Sequence, residues 1–154
     1  MYGKILVPVD GSETATTGLI EAIKLAKNQG GKLRILHIVN ELILDYAFGS
    51  GMYANTVIES MRSDGQKILN AAEALARQHG LEPEGVLIES IGGGAAQFII
   101  EQAKEWPADL IVMGTHGRRG IRRLALGSDA EIVVRGASMP VLLVRQVPGK
   151  NHVS

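Results

Sequence analysis

An open α/β fold, with a five-stranded parallel sheet and helices on both faces, is predicted by three observations. Five short apolar runs, rich in β-branched residues, alternate with longer segments whose apolar residues recur at helical spacing, the pattern of successive βα units. Most runs are apolar on consecutive residues, as strands covered on both faces are. The chain has 154 residues, 45% hydrophobic and 21% charged, enough length and apolar content for one buried core.

The elements follow in order. KILVPV (4–9) is the first strand, and Val9-Asp10-Gly11-Ser12 leads out of it. Leu19, Ile20, Ile23 and Ala26 give the first helix its stripe, and Gly30-Gly31 ends it. LRILHIV (33–39) is the second strand, and NELILDYAFGSGMYA (40–54) is expected to be loosely structured. A second helix is expected over 55–79, then the third strand GVLIESI (85–91) and a tight turn at Gly92-Gly93-Gly94. Ala96, Ile99, Ile100 and Ala103 place a third helix that Trp106-Pro107 stops. DLIVM (109–113), a fourth helix over 128–137 and VLLVR (141–145) complete the pattern. With no repeat or linker, one domain over 1–146 and a tail over 147–154 are expected.

Composition narrows the function classes. Sixteen acids balance sixteen bases, so no net field draws the chain to nucleic acid or anionic lipid. Aromatic residues make up only 4%, too few for a base-stacking surface, and nucleic acid is not an expected partner. The absence of cysteine excludes a disulfide framework, a thiol nucleophile and thiolate-bound zinc. Pro8 and Asp10 come too early for a signal peptide, and no apolar run approaches the ~20 residues of a membrane span, so the cytoplasm is the expected compartment.

In an open α/β sheet, ligands bind beyond the carboxyl ends of the strands, where connections diverge. Here those ends carry Asp10-Gly11-Ser12, Gly92-Gly93-Gly94 and Gly114-Thr115-His116-Gly117. Strand order 2-1-3-4-5 would face the triple glycine toward Asp10, whereas 3-2-1-4-5 would face Gly114–Gly117 toward it; composition leaves both open. Neither GxxxxGK[ST] nor a GxGxxG after a strand occurs. Gly114 and Gly117 would instead let the backbone approach an anion at positive φ, and Gly127-Ser128 would open a helix whose first N–H groups favour phosphate.

The spacing G-x2-G-x9-G-[ST], met by Gly114, Gly117, Gly127 and Ser128, resembles the ATP-binding signature of the universal stress proteins. KILVPVDGS, DLIVMGTHG and PVLLVR extend the resemblance over residues 1–146. It implies a Rossmann-like sheet of the adenine nucleotide alpha-hydrolase type in order 3-2-1-4-5, and a homodimer paired through the last strand, 141–145. It also implies ATP, held with Mg²⁺. The adenine would lie against Pro8, Val9 and Val39 with Met113 as floor, and Asp10 would face the ribose or the cation. The phosphates would sit over Gly114, His116, Gly117, Gly127 and Ser128, within range of the N–H groups of Asp129 and Ala130. Asp129 departs from the small or apolar residue usual there, and would either repel phosphate or recruit magnesium to it.

Each residue also has a plainer reading. Ser128 with Glu131 fits a capping box, and Asp10 fits a turn or helix cap. His116 fits a solvated loop, and His37 and His79 fit packing or capping. Arg118, Arg119, Arg122 and Arg123 fit a solvated helical face, with Arg118 best placed to clamp a γ-phosphate. The triple glycine and segment 40–54 could each border the pocket, the latter as a lid. An ATP-binding sensor or adaptor is the expected function; a slow Mg-dependent ATPase and a nucleotide-free interaction dimer are the alternatives. No base with a supporting partner stands out, which favours binding over catalysis.

Overall fold

All five apolar runs become parallel strands, and among the described residues four helices connect them. The computed structural model describes residues 1–40, 52–90, 92, 94–115 and 127–146. Its strands are β1 (Lys4–Pro8), β2 (Lys32–Asn40), β3 (Glu84–Ser90), β4 (Leu110–Thr115) and β5 (Val141–Arg145). Its helices are α1 (Glu13–Gln29), α2 (Met52–Gln78), α3 (Ala95–Glu105) and α4 (Ser128–Gly136).

The sheet order is β3-β2-β1-β4-β5. The chain steps outward from β1 to β3, then crosses back to β4 on the other side of β1. Right-handed crossovers therefore put α1 and α2 on one face and α3 and α4 on the other. Strand alternation divides the core accordingly. Ile5, Val7, Leu33, Ile35, Leu110 and Val112 pack toward α1 and α2. Leu6, Leu36, Ile111 and Met113 pack toward Ala96, Ile99 and Ala103 of α3 and Ala130 and Val133 of α4.

Local chemistry fixes the ends of α1. Ser12 is its N-cap, with Oγ accepting from the Ala15 N–H at 3.1 Å, and Gly30 closes it in the left-handed region at φ 63. At the far end of α2, His79 Nδ1 lies 2.9 Å from the Leu75 carbonyl, so this histidine caps a helix. Trp106 ends α3 with the Arg34 guanidinium 4.7 Å from its ring centre.

One boundary differs from expectation in a way that matters. β4 runs through Gly114 and Thr115, which pair with Val144 and Arg145. Gly114 is thus a strand residue, not a loop residue. A Cβ on Gly114 would fall on the Thr14 carbonyl, and one on Gly18 would come within 2.6 Å of the Gly114 nitrogen. The two glycines let α1 lie directly on β4. Gly114 is also absent from the positive-φ glycines, which among the described residues are Gly11, Gly30 and Gly80. Its lack of a side chain serves helix packing, and the expected positive-φ nest does not form at this position. No helix among the described residues is long and apolar enough to cross a membrane.

Candidate functional site

The sheet parts where β1 and β4 reach their carboxyl ends. Their ladder pairs Ile5 with Leu110 and Leu6 with Ile111. Beyond that point β1 stays with β2, up to Pro8 opposite Leu36, while β4 stays with β5, up to Thr115 opposite Arg145. A cavity of about 270 Å³ opens between them. It lies at the topological switch point, where a doubly wound sheet binds ligands.

Its walls differ in chemistry. Pro8, Leu36, Ile38, Ile99 and Met113 make an apolar side. Ser12, Thr14 and Ala15 from the start of α1, and Gly127, Ser128, Asp129 and Ala130 from the start of α4, make the polar side. The start of α4 is open. Gly127 occupies the N-cap with φ −53 and ψ 151 and offers no side-chain bond, and the first helical bond runs from the Glu131 N–H to the Gly127 carbonyl at 3.1 Å. The N–H groups of Ser128, Asp129 and Ala130 precede that bond and so have no intrahelical acceptor, beside a cavity at the positive end of the dipole.

This geometry corrects the capping-box reading. Ser128 is the first helical residue, and the position that a capping side chain needs belongs to Gly127. Glu131, the expected reciprocal partner, instead accepts from Arg135 at 2.9 Å. Asp10 is a turn residue, as its plainer reading held: its Oδ1 accepts from the Ser12 N–H at 2.9 Å, while the cap itself is Ser12. The exposed Asp10 and Asp129 carboxylates both border the cavity.

Of the expected contact residues, Pro8, Val9, Asp10, Met113, Gly114, Gly127, Ser128, Asp129 and Ala130 line the cavity together. Val39 does not. It is buried against α2, where a Cβ on Gly65 would come within 3.0 Å of its Cγ2, and Ile38, one residue earlier, lines the cavity. His116, Gly117 and Arg118, with Arg119, Arg122 and Arg123, lie outside the described residues, as do 41–51 of the suggested lid. The triple glycine contributes no lining residue that the structure describes; Ala95, just after it, does. Ser12, Thr14, Leu36, Ile38 and Ile99 also line the cavity and were not anticipated. Alternation counted from Leu36 would have found Ile38. Among the described residues no three His, Cys, Asp or Glu side chains group to hold a metal ion. A magnesium ion here would need phosphate and water as well as one or two carboxylates.

The sequence model of the universal stress protein family matches residues 1–145. Universal stress protein MJ0531 of Methanocaldococcus jannaschii is 32% identical over 146 residues, covering 95% of this chain and 84% of the relative. A crystal structure of a universal stress protein family member from Burkholderia pseudomallei is 30% identical, with a TM-score of 0.74 and coverage of 93% and 96%. The Archaeoglobus fulgidus universal stress protein in complex with dAMP shares the fold: TM-score 0.63, 24% identity, coverage 93% and 98%. The apolar strands in order 3-2-1-4-5, the parted β1 and β4 ends and these matches lead to one assignment: the chain belongs to the universal stress protein family.

Proposed function

We propose that this protein binds an adenine nucleotide, ATP with Mg²⁺ in the first instance, in the cavity between β1 and β4, and acts as a nucleotide-dependent sensor or adaptor in the cytoplasm. The observation that carries the reading is the meeting of an apolar slot and an uncapped helix N-terminus in one cavity. Pro8, Leu36, Ile38 and Met113 offer a surface for a planar base. The Ser128–Ala130 N–H groups offer donors to phosphate, and the Ser128 hydroxyl, free of a capping bond, adds another. Asp10 faces the same space from β1, where a ribose hydroxyl or a cation would sit. The dAMP complex of the Archaeoglobus relative fits this reading.

Titration calorimetry of nucleotide-free protein tests it, with ATP in the presence and absence of Mg²⁺ and with AMP and GTP. Binding of ATP at about 10 μM or tighter, roughly 7 kcal/mol, is expected, with weaker binding of AMP and GTP. If mass spectrometry of the denatured protein shows no retained nucleotide and ATP still gives no heat, the reading is wrong.

A further inference from the structure

Val9 follows directly on β1, before the chain turns along the cavity, and both of its backbone polar groups are bound from β2. Its N–H donates to the Leu36 carbonyl at 2.8 Å, and its carbonyl lies 2.8 Å from His37 Nδ1. A carbonyl only accepts, so Nδ1 carries a proton and donates it to Val9.

The ring itself is far from solvent. His37 is 9% exposed, and α2 crosses it at Gly65, where a Cβ would come within 2.9 Å of the ring's Cδ2 and 3.1 Å of Nε2. Glycine inside a helix costs about 1 kcal/mol relative to alanine, so α2 gives up stability to admit the ring. One turn later Ile68 abuts Gly11, which holds φ 84 in the turn after Asp10. The Val9-Asp10-Gly11 segment therefore has the cavity in front of it and His37 and Ile68 behind it. His37 is not among the lining residues.

We propose that His37 is a positioning residue for the nucleotide cavity: its Nδ1–H fixes the Val9 carbonyl and thereby the direction in which Asp10 leaves β1. This rests on the nucleotide reading above and extends it to a side chain that touches no ligand. A histidine serving packing alone would affect stability and leave affinity unchanged. Asparagine carries an N–H donor near the position of Nδ1, and leucine carries none.

The test compares His37→Leu and His37→Asn with the parent protein, all nucleotide-free, at a temperature where each is folded. ATP affinity is measured by calorimetry, and the Asp10 and Gly11 amide resonances by ¹⁵N–¹H spectra. His37→Leu is expected to weaken ATP binding about tenfold, on the scale of one hydrogen bond, and to displace both resonances. His37→Asn is expected to restore most of the affinity and both resonances. Parental affinity and unmoved resonances in His37→Leu would overturn the proposal, as would equal losses in both variants. If the parent protein binds no ATP, the nucleotide reading fails separately. The resonances then decide: displacement in the leucine variant that asparagine reverses supports positioning, and any other pattern overturns it. Should His37→Leu not fold, the ring tautomer of the parent protein decides, since a protonated Nε2 with a bare Nδ1 would remove the proposed bond.

Discussion

Gly114 and Ser128 both belong to the glycine–serine signature, yet they answer to different forces. Gly114 is held against α1, so Gly114→Ala drives a methyl into the Thr14 carbonyl and is expected to cost about 3 kcal/mol, read from urea unfolding. That variant is a poor probe of ligand contact, because stability falls with it. Ser128 supplies no cap, so Ser128→Ala should change stability by less than about 0.5 kcal/mol, whereas Ser12→Ala, which removes a real cap, should cost about 1 kcal/mol. Equal losses in the two serine variants would mean that Ser128 does cap α4. Asp129 tests the anion directly. If its carboxylate opposes bare phosphate, Asp129→Asn should tighten Mg-free ATP about threefold or more and have less effect with Mg²⁺ present. A loss of affinity confined to Mg²⁺ conditions would instead make Asp129 a cation ligand.

Along β2, side chains alternate between two environments, and two adjacent substitutions should separate them. Val39→Ala removes buried methyls packed against α2 at Gly65 and is expected to lower stability by about 2 kcal/mol while leaving ATP affinity unchanged. Ile38→Ala opens the apolar wall of the cavity and should weaken ATP binding, as measured by calorimetry. The same alternation marks how far the sequence could be read. Five strands and four helices were legible because apolar runs and helical stripes are local signals. The inward residue at the end of β2 was misassigned by one position, because the run ILHIV is apolar on both sides of the histidine and hides its own phase. β4 was cut short at Met113 because glycine reads as a strand breaker; Gly114 stays in the sheet through a contact with Thr14, 100 residues away by number, which no local pattern reveals. The Asp10 turn was legible as one of two readings, since Asp-Gly-Ser states turn chemistry and not which residue caps the helix.

At the level of the whole molecule, strand order was the part composition left open, because each βα unit looks alike until its neighbours are known. The order leaves β5 at one margin, where it pairs with β4 alone among the described strands. Leu142 on that strand is 37% exposed, and Ile132 and Val134 on the adjoining α4 are 52% and 45% exposed, an apolar margin suited to a second copy. Leu142→Asp is expected to convert a dimer to monomer in sedimentation velocity; a parent protein that sediments as monomer at all concentrations would exclude dimerisation through this edge. The brevity of the β1–β4 ladder has a mechanical consequence. The sheet amounts to two plates, β3-β2-β1 and β4-β5, riveted near one end of their shared seam, with α1 laid across the joint. Bending at that seam disturbs fewer ladder bonds than bending within either plate, so the line between β1 and β4 is the least pinned in the sheet, and the cavity opens along it.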